Sequence, residues 1–206
     1  MSQRTIEVFA DVTCPFTHVG LKRVSERLAA LDADGVEIVV RAWPLEWVNG
    51  SVFEADLMPR KFDAVNAHVD PPEFGGFRPD RWPTSTIPAL NLVAAGYRRD
   101  ARTGLRAALA VRRALFDDGA DIGDPPALAA LADELGLPAP SAEPDDALRA
   151  DFDEGSRRGV RGSPEFWIDG EAFFCPSLAI HTDDEGHLLA DFDPDGLDDF
   201  IAHVCA

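Results

Sequence analysis

A run of β-forming residues from Arg4 to Phe9 leads into Cys14-Pro15, and a helical pattern begins at once. Val24, Leu28 and Leu31 recur at the period of a helix with one buried face, which predicts a helix over 15–32. Pro15 suits its first turn, where a missing N–H would be unpaired anyway. Asp32-Ala-Asp-Gly35 then turns the chain into Val36–Trp43, a second strand rich in β-branched residues. Strand, helix and strand in that order imply a parallel pair with a right-handed crossover, the signature of an α/β fold. The order also puts the Cys14 sulfur at a helix N-terminus, beside unpaired N–H groups and the positive end of the macrodipole. Both favour thiolate, and cysteines so placed titrate at roughly 3.5–7.5. An inert, buried cysteine is the alternative.

From about 54 to 159 the pattern is helical with interruptions. Trp47–Ser51 reads as a loop, 54–69 as a helix despite Pro59, and 70–83 as a long Pro/Gly-rich loop. Helices are expected over 84–100 and 103–116, the second with Arg112 at the edge of its apolar face. Asp124-Pro125 is a cap signal for a helix that Gly136 ends, and a last helix runs from Asp145 to Arg158. Strand patterns resume at Glu165–Ile168 and Glu171–Phe174, joined by Asp169-Gly170, a hairpin turn pair. That register would set Pro164 opposite Cys175. A weaker hairpin surrounds Asp183–Gly186, and Asp193-Pro194 opens the final helix. The expected organisation is a discontinuous α/β domain, 1–48 with 159–206, and an inserted helical subdomain, 49–158.

The formal net charge of −18 repels phosphate backbones and anionic lipid, so no nucleic-acid or membrane partner is expected. No apolar run reaches the roughly 18 residues of a membrane span. The first residues carry no apolar leader pattern, which points to a cytoplasmic location, where structural disulfides among the three cysteines are not the default.

The segment Asp11-x-x-Cys14-Pro15-Phe16-Thr17-x-x-Gly20 resembles the active-site segment of DsbA-like proteins of the thioredoxin superfamily. Gly159-Val-x-Gly-Ser163-Pro164 resembles that family's cis-proline loop, and Phe173-Phe174-Cys175-Pro176-Ser177 falls where relatives carry a Phe-Gly segment. The likeness covers nearly the whole chain and extends to a group of FrnE-like proteins, 2-hydroxychromene-2-carboxylate isomerases and kappa-class glutathione transferases. It implies a thioredoxin-like fold with a large helical insertion between the β-α-β unit and the C-terminal β-hairpin-α unit. It implies, too, that Cys14 is the nucleophile and the Ser163–Pro164 bond is cis, with the residue before the proline pairing with a thiol substrate. Pro15, Phe16, His18, Ser163, Pro164 and Ser177 are then candidate substrate contacts, Ser177 for a carboxylate.

One departure matters. Thr17 stands where a dithiol enzyme has its second cysteine, so the usual local disulfide cannot form. Its hydroxyl can instead donate to a Cys14 thiolate. Resolution of a mixed disulfide is left to Cys175 or to an external small thiol. Cys175 as a small buried hydrophobe is the competing reading. His18, four residues beyond Cys14, either supports the thiolate or is a helix-surface histidine. Cys14, His18 and Cys175 make a weak metal set, and none is expected. His68, His181, His187 and His203 have no partner visible in sequence, and Cys205 is incidental. Trp43 and Trp47 either line the site or pack in the core. The function expected is thiol–disulfide exchange on a small or protein substrate. No cofactor is held tightly, a glutathione-like thiol serves as co-substrate, and a homodimer is left open. The alternative is a small-thiol-dependent transferase or isomerase, and a redox-inactive binding module is a third reading.

Overall fold

The computed structural model describes residues 3–67, 69 and 71–206, so His68 lies outside the described residues. Strand β1 (Arg4–Ala10), helix α1 (Pro15–Ala30) and strand β2 (Val36–Ala42) form the expected unit. β1 and β2 pair in parallel from Arg4↔Val36 to Ala10↔Ala42. Strands β3 (Glu165–Ile168) and β4 (Glu171–Phe174) extend the sheet to the order β2-β1-β3-β4, with β3 antiparallel to β1. Asp169 and Gly170 both take positive φ, 50° and 85°, as a tight hairpin turn demands. Register follows from that turn: Ile168 faces Glu171 and Phe166 faces Phe173.

Six further helices and two short 3-10 turns (55–57 and 79–81) separate β2 from β3 among the described residues. The first five are α2 (Leu45–Asn49), α3 (Met58–Asn66), α4 (Ile87–Arg99), α5 (Ala101–Phe116) and α6 (Pro125–Leu135). Helix α7 (Asp146–Arg158) completes the block and leads back to the sheet. Residues 47–49, expected as loop, are helical, because the Leu45 N–H is held by the Asp11 carboxylate (2.8 Å) and Gly50 closes the turn at φ 80°. The helix expected from residue 54 starts at Met58, with Pro59 in its first turn. Asp100 accepts from the Thr103 N–H (2.7 Å), which moves the start of α5 ahead of the expected position.

The helical block also closes the exposed edge of β2. The Tyr97 hydroxyl accepts from Val40 N–H (2.9 Å) and donates to the Ile38 carbonyl (3.1 Å), and Asp151 accepts from Ala42 N–H (2.9 Å). Side chains thus take up ladder groups that another strand would otherwise pair with. Trp43 stacks on Phe152 at 4.8 Å and meets Phe9 edge-on, so core packing accounts for it; Trp47 sits edge-on to the same Phe152. One apolar core runs from the sheet into the helices.

Beyond β4, strands β5 (Leu178–Thr182) and β6 (Leu188–Phe192) form a separate antiparallel pair, and helix α8 (Pro194–Cys205) ends the chain. The β5–β6 hairpin packs on α3. Lys61 of α3 donates to the Leu188 carbonyl (2.7 Å), and Arg60 pairs with Glu185. No helix of the described residues is long and apolar enough to cross a membrane.

Candidate active site

Cys14 is the N-cap of α1, with Pro15 at the first helical position. The Ser163–Pro164 bond that faces it is cis. The Cys14 thiol donates to the Ser163 carbonyl at 3.0 Å. The Asp11 N–H donates to the Ser163 hydroxyl (2.9 Å), which lies 2.8 Å from the Thr17 hydroxyl. If Ser163 donates in that contact, the Thr17 hydroxyl is left to donate to the Cys14 sulfur, alongside the Thr17 backbone N–H. Asp11 and Thr17 from the start of the chain and Ser163 from its far end therefore fix the sulfur in one buried network.

Asp11 holds this corner together. One carboxylate oxygen accepts from the Thr13 N–H (2.7 Å) and hydroxyl (2.6 Å), the other from the Leu45 N–H and, at 3.4 Å, from Thr86. Burial pushes its acidity toward the protonated form, and those donors with nearby Arg112 pull it back. Gly20 lets α1 approach: a Cβ there would lie 3.2 Å from the Ser177 hydroxyl and 3.8 Å from Pro164.

The helix-start argument for a low Cys14 pKa is overturned in direction. Cys14 is only 4% exposed, and burial pushes its thiol up more than the Thr17 and Ser163 hydrogen bonds pull it down. An opening of about 180 Å³ reaches the sulfur, lined by Phe16, Leu45, Phe53, Lys61, Arg161 and Phe174 among others. Lys61 lies over the Phe16 ring at 5.2 Å and is near enough to Cys14 for the two charges to interact. It forms no salt bridge among the described residues. Arg161 lies over Phe174 and pairs with Glu165 (2.6 Å). Sequence reasoning missed Lys61, whose sole signal was rarity, one of two lysines in the chain.

Other expected contacts fall elsewhere. His18 is 4% exposed, not a surface residue, and its Nε2 lies between Asp117 (3.4 Å) and Glu73 (3.7 Å) against Phe74 and Phe116. These partners come from segments other than the one that carries Cys14. Burial lowers its pKa, but the two carboxylates outweigh that and raise it. Ser177 is fully buried against Gly20, with no hydrogen-bond partner for its hydroxyl among the described residues, and does not line the opening. Cys175, 1% exposed with φ 49°, hydrogen-bonds the Pro164 carbonyl through its N–H (3.2 Å) and thiol (3.6 Å). Phe9 of β1 and Phe174 of β4 both face Glu165 of β3, from opposite sides. Cys14 is near enough to act on Cys175, raising its thiol beyond what burial does. Arg112, expected at a helix edge, is 1% exposed, because the Ala108 (2.8 Å) and Asp11 (3.0 Å) carbonyls accept from it inside the core.

The fold is thioredoxin-like, and solved structures share it. A probable DsbA oxidoreductase from Streptomyces coelicolor is 23% identical over 83% of each chain, with a TM-score of 0.61. The cytosolic disulfide reductase DsbM from Pseudomonas aeruginosa, in a structure with GSH, is 22% identical over 82% of this chain and 88% of that one, with a TM-score of 0.57. A 2-hydroxychromene-2-carboxylate isomerase is 14% identical over 82% and 88%, with a TM-score of 0.52. No curated protein sequence matches the chain significantly. The model of the DSBA-like thioredoxin domain matches residues 5–182, from β1 through β5, and the chain therefore belongs to that family.

Proposed function

We propose that the protein is a cytoplasmic, monothiol thiol–disulfide oxidoreductase in which Cys14 forms a mixed disulfide that an external small thiol resolves. The observation that carries the reading is the Cys14 sulfur held between the Ser163 carbonyl and Thr17, at the foot of an opening that also holds Lys61. The description of DsbM as a cytosolic disulfide reductase, solved with GSH, supports the same class.

In the resting state the thiol proton is engaged by the Ser163 carbonyl. A substrate N–H that takes that carbonyl removes the acceptor that stabilises the thiol. Thr17 and Lys61 then favour the thiolate, which is the nucleophile. The thiolate attacks one sulfur of a disulfide, the S–S bond breaks, and the second sulfur leaves as a thiolate that takes up a proton. A glutathione-like thiolate next attacks the mixed disulfide, forms a new disulfide with the bound half, and frees Cys14. One disulfide and one thiol enter, and one disulfide and one thiol leave. Thr17 has no sulfur with which to resolve the adduct, and the bonds that tie Cys175 to the Pro164 carbonyl favour a second thiol from outside.

Intact-mass analysis after exposure to glutathione disulfide tests this. We expect one glutathione adduct, on Cys14, absent in Cys14→Ser and retained in Cys175→Ser. Reductase turnover with excess glutathione should vanish to background only in the first variant. An oxidised form lacking two thiols, restored by either substitution, would instead make Cys14 and Cys175 a redox pair. A retained small thiol without disulfide turnover would move the protein to the transferase or isomerase class.

A further inference from the structure

A second cavity, of about 220 Å³, lies between β2, α4 and α7 and shares no lining residue with the Cys14 opening. Val93, Ala94 and Tyr97 of α4 form one wall, and Arg112 lines its inner part. Arg112 is the largest side chain in the molecule to be almost completely buried among the described residues. Its two terminal nitrogens donate to the Ala108 and Asp11 carbonyls, and its Nε has no partner among the described residues. No carboxylate forms a salt bridge with it among the described residues. Asp11 offers its carbonyl, while its carboxylate is occupied by Thr13, Leu45 and Thr86.

Burial lowers Arg112 to about 10, so it remains charged at neutral pH. Asp11 attracts this cation without bonding it through its carboxylate, so an anion that hydrogen-bonds the guanidinium recovers much of the cost of burying it. The other charged groups at the cavity are already paired. Arg41 bonds Glu7 and Asp151, and Arg98 pairs with Asp145. The remaining lining is largely apolar, with Leu90, Val93 and Ala94 from one helix. A cavity of about 150 Å³ already takes a benzene ring. Apolar walls, one unpaired buried guanidinium and room for a ring together define a ligand class.

We propose that this cavity binds a small apolar monocarboxylate, with its carboxylate on Arg112 and its body against α4. The site is independent of the reading of Cys14. It touches that site through one residue, since the Asp11 carbonyl accepts from Arg112 while the Asp11 N–H donates to Ser163.

The test uses benzoate and its neutral isostere benzamide as probes on the full chain. The Arg112 Nε–Hε resonance is followed by nitrogen-15 NMR and assigned by through-bond correlation to its own backbone. Benzoate should shift that resonance saturably and raise Tm, and benzamide should do neither at equal concentration. Ala94→Leu, which narrows the cavity and leaves Arg112 in place, should weaken benzoate at least tenfold. Arg112→Met should abolish the rise in Tm with benzoate; should that variant fail to fold, Ala94→Leu decides alone. An unmoved Arg112 resonance at millimolar benzoate would overturn the proposal. So would equal shifts from both probes, or an unchanged affinity in a folded Ala94→Leu.

Discussion

Cys14 and Cys175 are both nearly inaccessible, both bond a carbonyl of the cis Ser163–Pro164 pair, and differ in almost everything else. Cys14 sits at a helix start with Thr17 donors, a lysine nearby and an opening to solvent. Cys175 sits at a left-handed turn after β4, where burial is the main influence and pushes its thiol strongly up. Burial raises the thiol in both places, so burial does not distinguish a reactive cysteine from a structural one. Donors and access do. The successive carbonyls of residues 163 and 164 point to opposite edges of the chain, one toward α1 and the other toward β4.

The strongest way to break the contrast is to give Cys14 a nearer partner. Thr17 shares the first turn of α1 with Cys14 and is fully buried beside it. Thr17→Cys should produce a local disulfide on mild oxidation, seen as two protected thiols by alkylation and mass. Resolution of the glutathione adduct would then become intramolecular, faster than the external route by roughly a hundredfold at millimolar thiol if the effective concentration is about 0.1 M or more. Thr17→Val removes the hydroxyl donor and should slow alkylation of Cys14 about threefold to tenfold at neutral pH, as a hydrogen bond worth about 1 kcal/mol implies. Unchanged alkylation in a folded Thr17→Val would remove Thr17 from the account of Cys14.

What could be read from the sequence follows the range of the interactions. The Asp169-Gly170 turn fixes its own register, and Asp124-Pro125 and Gly136 bracket a helix, because every partner is within a few residues. The β-α-β unit is legible from helical periodicity, β-branched content and the Asp32–Gly35 turn, all local signals. The Cys14 acceptor is 149 residues away and the Arg112 acceptor on Asp11 is 101 away, and no pattern of single residues encodes such pairings. His18 shows the limit most clearly. Spacing on α1 suggested a residue beside Cys14, whereas Glu73 and Asp117, from two other segments, decide where its ring lies and what charge it carries.

That displacement separates anchoring from reactivity on the same helix. Burial raises Glu73, but His18 and Lys22 outweigh it and bring it down to about 2, from an ordinary 4.5. Its contribution to stability is complete above pH 4.5 and fades as the pH falls toward 2. His18 runs the other way: raised above 6.5, it stabilises fully below that pH and loses its effect as the pH rises through its folded value. Stability measured by urea unfolding should therefore peak between about pH 4.5 and 6.5 so far as this cluster is concerned. Glu73→Gln should cost roughly 2 kcal/mol at pH 6 and flatten the acid side of the profile. Cys14 alkylation, corrected for unfolded protein, should not follow the His18 titration. Should it do so, the anchor and the thiol are coupled and form one site.

The smallest expected effect is the most direct check on the contrast. Cys175→Ala removes one buried sulfur and leaves a cavity smaller than a methylene pair, a change of about 1 kcal/mol by the scale of small core deletions. The positive φ of 49° is retained by alanine at a similar steric cost, so backbone strain drops out of the comparison. Disulfide turnover should stay within about twofold of the parent, because Cys14 with its donors and its opening is untouched. A larger loss of turnover, with Tm lowered only by the amount that about 1 kcal/mol implies, cannot come from stability. It would require β4 to shift during the cycle and bring Cys175 across the edge of β3, and the external thiol would then be the reductant of a disulfide within the protein.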